Sequence, residues 1–402
     1  MPFDLTNAQK RVIKECYENM CSKKQMNRLI QGDVGSGKTI VAFLCMLFPV
    51  ESGAQVAFMA PTEVLAEQHF KSVLGLAKKL NLSVELLTGS TKPKERDVLL
   101  NNLLIGKTNI LIGTHALIEE RVRFKKLGLV VIDEQHKFGV AQRAKLWSKK
   151  EEYYPHVLVM TATPIPRTLA LTLYGDLDVS VIDELPKGRK EIITSHRNDN
   201  SRLKVLNFIK QTVESGSQVY IVYPLIEESA KKDHKDLMDG YKSLTRYFPD
   251  TQIGVLHGRM KAENKDYEMK RFVEAKTKIL VSTTVVEVGV DVPNASVIII
   301  ESAERFGLSQ LHQLRGRVGR GKKQSYCILM TKYDISKESK ERIKAMVETS
   351  DGFKIANTDL KLRGPGNMMG TKQSGLLELR FTNLAEDYES IKKTRKTAIN
   401  LI

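Results

Sequence analysis

The residues with the clearest capacity for chemistry lie near the start of the chain, where positions 32–39 read Gly-Asp-Val-Gly-Ser-Gly-Lys-Thr. The stretch joins a predicted strand to a predicted helix and has the glycine and lysine spacing of a phosphate-binding loop. Backbone N–H groups and a helix N-terminus attract phosphate oxygens there. We expect Lys38 to reach the β- and γ-phosphates and Thr39 to bind Mg²⁺. The other predicted nucleotide contacts are Gly32, Gly35, Ser36 and Gly37. The alternative, a glycine-rich turn without a ligand, is disfavoured by the strand–helix context.

Two acidic residues, Asp133 and Glu134, end an apolar run further along the chain. Phosphoryl transfer to water needs one carboxylate on the metal and another group that orients the water. Asp133 suits the metal and Glu134 the water. Acids are common at strand ends, so the pair is informative because a phosphate loop precedes it. His136 follows in the same segment and is predicted to sense the nucleotide, with a plain polar loop residue as the alternative.

Further polar residues follow later strands. Thr161 and Thr163 flank the end of the next predicted strand and could hydrogen-bond the acids and a partner domain. Positions 313–320 read Gln-Leu-Arg-Gly-Arg-Val-Gly-Arg, which we call the arginine motif. Its Arg317 and Arg320 could act as arginine fingers that stabilise charge on the transferring phosphoryl group. A nucleic-acid patch or a solvated basic helix is an equally good interpretation of the spacing alone.

The elements that must position these residues alternate between short strands and amphipathic helices. Most strand candidates are apolar nearly throughout, which is typical of parallel strands covered on both faces. We predict an α/β fold with two parallel-sheet domains, 1–187 and 188–348, separated by a turn-rich break at 186–190. The predicted strands are 28–31, 55–60, 83–88, 109–112, 129–132 and 157–160, then 218–223, 252–256, 278–282, 296–300 and 325–330.

The last part of the chain, 336–402, has a different pattern. Helices are predicted over 338–348 and 353–362, followed by a loop rich in Gly and Pro over 363–375. A final helix is predicted near 384–402. Composition alone favours a flexible linker for 363–375.

Composition and charge limit the class of protein. The 402 residues are 42% hydrophobic and 27% charged, which disfavours a disordered or fibrous chain. The longest apolar run, 40–50, is shorter than the roughly 18 residues that span a bilayer, so no membrane partner is expected. Four scattered cysteines favour reduced thiols in the cytoplasm. The net charge of +16 favours a nucleic-acid partner, with an unpartnered basic protein as the alternative.

Taken in order, these motifs resemble those of superfamily 2 helicases. Residues 2–9 are similar to the adenine-reading Q motif, with Gln9 as the reader, and residues 282–291 are similar to the motif that links nucleic acid to ATP. The resemblance implies two RecA-like P-loop domains with ATP and Mg²⁺ between them. It further implies nucleotide contacts from Gly289 and Asp291. The implied nucleic-acid contacts are Thr62, Thr114, Arg259 and Thr283.

Three stretches, 133–140, 303–313 and 362–375, resemble the RecG family of bacterial DNA translocases within that superfamily. The resemblance implies a helical hairpin that feeds a translocation loop, in which Arg363 and Gln373 contact DNA. Coupling between ATP and DNA would involve His136, Thr161, Thr163 and Gln313.

The activity implied by this resemblance is ATP-dependent translocation on double-stranded DNA, which remodels stalled forks and branched recombination intermediates. A monomer in the cytoplasm, associated with the nucleoid and with single-stranded DNA-binding protein as a further partner, is also expected.

The resemblance begins at the Q motif, so we expect the N-terminal wedge domain of RecG proteins to be absent here. Fork specificity and strand separation depend on that wedge in the family. One alternative is therefore a DNA-binding fragment with weak or no ATPase activity unless a wedge domain complements it. An RNA helicase is the nearest alternative among enzymes.

Overall fold

The structure is a computed structural model that describes residues 4–22, 24–134, 154–162, 177–186, 188–224, 230–283 and 290–368, together with positions 390, 393, 394, 397 and 398. The chain divides into two compact units. Met1–Lys187 and Glu386–Ile402 form the first unit, and Gly188–Ala385 forms the second. Across the described residues, no helix has the length and apolar character needed to cross a bilayer.

The first unit is built on a seven-stranded sheet in which every pairing is parallel. Its strands are β1 Asn27–Gly32, β2 Gln55–Met59, β3 Val84–Leu87, β4 Ile110–Gly113, β5 Leu127–Asp133, β6 His156–Thr161 and β7 Asp178–Ile182. They lie in the order β3-β4-β2-β5-β6-β1-β7. Strands β1, β2 and β4 are buried almost throughout, as expected for strands with both faces covered.

One described α-helix of this unit precedes the first strand, and three lie between strands: α1 Asn7–Met20, then α2 Lys38–Glu51, α3 Glu63–Ala77 and α4 Pro93–Ile105. Two of them begin at threonines whose side chains accept a backbone N–H, which is the preferred chemistry at a helix start. Thr6 accepts from the N–H of Gln9, and Thr62 accepts from that of Leu65. These caps fix the first turns of α1 and α3 beside the sheet.

The register brings the carboxyl ends of the central strands to one edge. Gln31 pairs with Thr161 across β1 and β6, and Met160 pairs with Asp133 across β6 and β5. The phosphate loop follows β1, so it lies at the same edge as Asp133, with β6 between the two strands. Neighbouring strands are about 4.8 Å apart, which places β1 and β5 about 10 Å from each other.

The second unit has a six-stranded sheet, again parallel in every pairing. Its strands are β8 Ile193–Asn198, β9 Gln218–Val222, β10 Ile253–Leu256, β11 Ile279–Ser282, β12 Ala295–Ile300 and β13 Tyr326–Thr331. Their order, β10-β11-β9-β12-β13-β8, repeats that of the first six strands of the other sheet. The helices among them are α5 Arg202–Glu214, α6 Ala230–Tyr247, α7 Ala262–Val273 and α8 Leu308–Arg315.

A buried glutamine at matching positions of the two sheets reinforces this likeness. Gln55 at the start of β2 donates to the carbonyls of Leu103 and Thr108, at the end of α4 and beyond it. Gln218 at the start of β9 donates in the same way to Phe272 and Thr277, around the end of α7. Each amide therefore donates to one carbonyl in the last turn of a helix and to one in the segment that follows the helix.

Two helices, α9 Lys337–Glu348 and α10 Gly352–Met368, follow the second sheet and form the predicted hairpin. They bury Met346 and Ile355, among other apolar residues. The loop predicted over 363–375 is wrong at its start, because α10 continues as a helix to Met368. Glycine and proline lower helix stability, and a proline inside a helix also crowds the carbonyl four residues earlier, but these costs do not end α10 before Met368.

All predicted strands are confirmed, and two further strands were not predicted. Both are edge strands: β7 lies outside β1 and β8 lies outside β13. Strand β8 has the sequence Ile-Thr-Ser-His-Arg-Asn and no fully buried position, so it carries no apolar run. An edge strand needs only one neighbour, and its exposed face can be polar.

Candidate active site

The phosphate loop has the left-handed backbone that its glycines permit. Gly35 has φ +76° and Gly37 has φ +85°, values that other residues adopt only at a cost in energy. A Cβ on Gly32 would lie 2.5 Å from Oγ of Ser36, so the loop also needs a glycine there. Gly37 precedes α2 without a side-chain cap, which leaves the first N–H groups of the helix available to an anion.

Lys38 extends across this loop and is buried. Its Nζ donates to the carbonyls of Gly32 at 2.8 Å and Asp33 at 2.9 Å. Both acceptors are neutral, and both belong to the loop itself. The buried hydroxyl of Ser36 has no hydrogen-bond partner among the described residues. The loop therefore presents a cation, a spare hydroxyl and helix N–H groups, which is a suitable donor set for a phosphate group.

Gln9 lies against the loop from α1. Its Nε2 donates to the Ser36 carbonyl at 2.8 Å, and its Oε1 accepts from the Thr6 N–H at 3.0 Å. A glutamine amide has two hydrogens and two acceptor lone pairs, so one of each is still available for a ligand. The predicted adenine reader thus also supports the phosphate loop.

The two acids stand at the same edge of the sheet. Asp133 is the last residue of β5, and its Oδ2 lies 2.8 Å from Nε2 of His69. Glu134 follows with φ +52°, and its Oε2 accepts from the Ala162 N–H at 3.4 Å. Because Ala162 directly follows Thr161 at the end of β6, the contact ties the acid to the next strand.

The donor set fits a magnesium ion. Mg²⁺ in nucleotide sites is bound by one or two protein oxygen ligands together with phosphate oxygens, rather than by a cage of protein ligands. Thr39 and Asp133 supply a hydroxyl and a carboxylate of that kind. The described residues contain no cluster of three or more His, Cys, Asp or Glu side chains that could hold a metal alone.

The predicted nucleic-acid contacts differ in exposure. Thr62 is half-buried and caps α3, and Arg259 is exposed after β10. Thr114 and Thr283 are 2% and 3% exposed, and their hydroxyls have no hydrogen-bond partner among the described residues. Both threonines follow a strand at the carboxyl edge of its sheet. Because both threonine side chains are buried, the surface at that edge of each sheet is formed by backbone groups and by neighbouring residues.

The arginine motif lies in the second unit and comprises the end of α8 and the first part of the segment that leads to β13. Arg320 pairs with Asp291 at 3.4 Å, and it also donates to the Gly316 carbonyl. Arg317 is buried, and the charges of both arginines lower the pKa of the nearby Tyr220, which burial raises by more. Arg320, predicted from the motif, and Asp291, predicted from the resemblance, therefore form an ion pair.

Two residues with strong contacts were not predicted. His69, on the buried face of α3, lies within hydrogen-bond distance of Asp133. Arg315, inside the arginine motif, donates to the carbonyls of Met346, Thr349 and Ser350 around the hairpin turn. Only the fold reveals the second contact, because α8 and the hairpin are distant in sequence.

Comparison with known proteins gives three consecutive family matches. A model described as DEAD/DEAH box helicase matches residues 6–172, and one described as helicase conserved C-terminal domain matches 186–322. The third, described as ATP-dependent DNA helicase RecG, domain 3, C-terminal, matches 349–402. The RecG helicase of Synechocystis sp. is 54% identical over 99% of this chain and 48% of its own length. That of Bacillus subtilis is 51% identical over 100% and 59%.

A solved structure of RecG bound to a three-way DNA junction is 47% identical, with a TM-score of 0.83 over 98% of this chain and 51% of that chain. Over nearly its whole length the chain is similar to the helicase core of RecG proteins. It spans about half the length of the curated relatives that it matches. Yeast Dbp5 bound to RNA and ADP BeF3, at 17% identity and a TM-score of 0.60, shares the fold.

The RecG match confirms the predicted family and the predicted class of fold, two RecA-like units each built on a parallel sheet. Some predicted RecG-type site residues lie outside the described residues: His136, Thr163, Gly289 and Gln373. Arg363 belongs to α10, and its side chain is also outside them. Gln313 is half-buried on α8.

Proposed function

We propose that this chain is the ATP-driven motor of a RecG-type DNA translocase. The observation that carries the proposal is the arrangement at the edge of the first sheet. A phosphate loop with Lys38 drawn across it follows β1, and Asp133 ends β5 two strands away. This is the placement that phosphoryl transfer requires of a phosphate-binding lysine and a metal-binding carboxylate.

Each side chain has a defined task in this proposal. Lys38 binds the β- and γ-phosphates, and Thr39 and Asp133 hold Mg²⁺, which neutralises charge on the phosphates. Glu134 orients the attacking water. Gln9 reads the adenine while it supports the loop at Ser36. Arg317 and Arg320 serve as the arginine fingers, and Gly289 and Asp291 contribute to nucleotide binding.

The pairing of Arg320 with Asp291 bears on this assignment. A guanidinium that already faces one carboxylate is held in place before a nucleotide arrives, so less side-chain freedom is lost on binding. The distance of 3.4 Å between the two side chains is longer than that of a strong charge-assisted hydrogen bond, and the Asp291 side chain is partly exposed. A phosphate group can therefore compete for the arginine.

Double-stranded and branched DNA is the proposed track. The net charge of +16 supports a polyanionic partner. Contacts from the regions around Thr62, Thr114, Arg259 and Thr283 are assigned to the phosphate backbone, so binding should depend on salt and hardly on sequence. Remodelling of stalled forks and recombination intermediates is the corresponding role of the whole protein.

Movement along DNA is assigned to the C-terminal element. We assign Arg363, which belongs to α10 of the hairpin, and Gln373 to contact with DNA. We assign His136, Thr161, Thr163 and Gln313 to the coupling with ATP. We assign 1–187 and 188–348 to the two motor domains and 336–402 to translocation. We further propose that the protein is a monomer in the bacterial cytoplasm, that it associates with the nucleoid, and that single-stranded DNA-binding protein is a further partner.

The first test is steady-state ATP hydrolysis without nucleic acid, with duplex DNA, with a three-way junction and with RNA. Lys38→Ala is the control, because it removes the main charge on the phosphates. Stimulation by duplex and junction in the wild type alone supports an autonomous DNA motor. A wild-type rate equal to the control under all conditions would instead indicate a DNA-binding fragment. Preferential stimulation by RNA would contradict the RecG-type assignment.

A second test separates hydrolysis from movement. Arg363→Ala and Gln373→Ala should retain part of the DNA-stimulated ATPase activity while displacement of a third strand from duplex DNA is lost. Normal displacement in either variant would remove that residue from the translocation element. Arg246→Ala is a suitable control, because Arg246 is exposed on α6 and has no assigned role.

A further inference from the structure

His69 makes a short contact with the end of the central strand. Its Nε2 lies 2.8 Å from Oδ2 of Asp133, within normal hydrogen-bond distance. The histidine is 7% exposed and the aspartate 9%, so little water competes for the contact. The two residues are 64 positions apart in sequence, and the fold alone brings them together.

The imidazole ring is held from a second side. It packs against Phe58 of β2, with ring centroids 4.7 Å apart and planes tilted by 32°. Phe58 pairs in register with Val131 of β5, two residues before Asp133. The ring therefore rests on the strand next to the one that carries the carboxylate, and its orientation is fixed by packing as well as by the hydrogen bond.

We propose that His69 is a positioning residue that sets the orientation of the Asp133 carboxylate. A hydrogen bond to one carboxylate oxygen limits rotation of the group and leaves the other oxygen for the metal. Partners behind a metal ligand commonly strengthen metal binding in this way. The inference rests on the proposed function, since it takes Asp133 as a ligand of Mg²⁺.

The competing interpretation is that His69 is only a core residue that satisfies a buried carboxylate. The two interpretations differ in what a substitution changes. A core role affects stability and leaves the response to Mg²⁺ unaltered once the protein is folded. If His69 has a positioning role, its substitution raises the Mg²⁺ concentration at which Mg²⁺-dependent nucleotide binding is half-saturated. Nucleotide binding without metal is then unaffected.

His69→Phe and His69→Gln form the test pair. Phenylalanine retains a ring against Phe58 but has no donor, whereas the amide of glutamine restores an N–H at similar reach. His69→Asn, whose shorter amide cannot span the distance, replaces the Phe variant if that protein does not fold. His156→Asn is the matched control, because His156 is a half-buried histidine at the opposite edge of the same sheet.

The readout is binding of a fluorescent ADP analogue to the full chain, titrated with MgCl2 and compared with EDTA. We expect the half-saturating Mg²⁺ concentration to rise about 10- to 100-fold in His69→Phe, with affinity in EDTA unchanged. His69→Gln and His156→Asn should stay near the wild-type value. A parallel Mg²⁺ titration of ATP hydrolysis should shift by the same factor.

An unshifted Mg²⁺ response in folded His69→Phe, with normal Mg²⁺-dependent binding in the wild type, would overturn the inference and leave the proposed function intact. A shift of equal size in His69→Gln would also overturn it, because the donor would then not matter. Failure of the wild type to bind the nucleotide at all would contradict the proposed function itself.

Discussion

The guanidinium of Arg315 donates to the backbone carbonyl of Met346 at 2.9 Å, which joins the end of α8 to the last turn of α9. The same side chain donates to the carbonyls of Thr349 at 2.8 Å and Ser350 at 3.1 Å and lies 2.9 Å from Nδ1 of His312. The last carbonyls of a helix have no partner within it, so a buried arginine is well suited to satisfy them. One residue of the arginine motif thus holds the turn of the helical hairpin.

Arg315→Lys should therefore loosen the hairpin even though it keeps the charge. Lysine lacks the planar fork that reaches several carbonyls at once, and the acceptors left behind are buried. We expect the free energy of opening α9 and α10 to fall by about 2–4 kcal/mol. Amide hydrogen exchange over 337–368 measures this directly.

Arg246→Lys serves as the control for that experiment, because an exposed arginine should change stability by no more than about 0.5 kcal/mol. Unchanged exchange in the hairpin of Arg315→Lys would show that the carbonyl contacts contribute little to its stability.

Gly37 offers a second prediction, at the start of α2. A Cβ at this position would lie 2.3 Å from Nε2 of Gln9, and the backbone has φ +85°. Gly37→Ala should displace the Gln9 amide from the Ser36 carbonyl and add backbone strain. We expect a loss of about 1–3 kcal/mol in stability, measured by urea unfolding, together with weaker nucleotide binding.

The double variant tests the cause of that loss. Gln9→Ala removes the group that the new methyl would meet, so Gly37→Ala should cost less in that background than alone. The remaining cost is the backbone strain. Purely additive effects would mean that Gln9 does not restrict residue 37.

These contacts also show which parts of the site are readable from sequence. The positions of Lys38, Asp133 and the glycines of the phosphate loop at the ends of buried strands were predictable from local spacing, and their roles stay predictions. The central strands were predictable because burial on both faces leaves an apolar run. Strand β8 was missed for the opposite reason: at the edge of its sheet, a polar sequence pairs equally well.

Local sequence patterns do not predict contacts between residues that only the tertiary structure brings together. In the sequence, nothing distinguishes Arg315 from the other arginines of the motif. In the structure, it donates to the carbonyls of the hairpin turn. His69 lies on α3, and only the position of β5 in the sheet makes it a neighbour of Asp133. The end of α10 differs from the prediction because Gly and Pro favour a loop, whereas helix propensity is a weak constraint that tertiary structure often overrides.

Glu134→Gln should separate ATP binding from ATP hydrolysis. The amide has nearly the same size and keeps an oxygen that can accept from the Ala162 N–H, so the fold and the phosphate loop are preserved. It cannot act as a base or orient water as a carboxylate does. Hydrolysis should fall by about 10²- to 10⁴-fold while nucleotide affinity is retained.

Filter binding of labelled ATP and single-turnover hydrolysis provide the two measurements. Lys38→Ala is the informative contrast, because it should lose binding as well as turnover. A Glu134→Gln protein with near-normal turnover would transfer the water-orienting role to another residue.

His156 makes the stability of the first unit depend on pH. Burial lowers the pKa of this histidine below its ordinary value of 6.5, and its Nδ1 accepts the N–H of Met26 at 3.0 Å, which requires that nitrogen to be unprotonated. The unfolded chain takes up a proton more readily than the folded one. The contribution of His156 to stability is thus fully present above the ordinary pKa and is lost as the pH falls through the lowered one.

His156→Asn should reduce this dependence, since asparagine can accept the same N–H and does not titrate. The drop in urea midpoint between pH 7.5 and pH 5.5 should be smaller in the variant than in the wild type. His196 in the second unit has a pKa lowered by burial and by Arg197, so part of the dependence should persist in the variant. Adding His196→Asn should remove that part as well. Equal drops in the wild type and the double variant would show that carboxylates, rather than these histidines, dominate the response to acid.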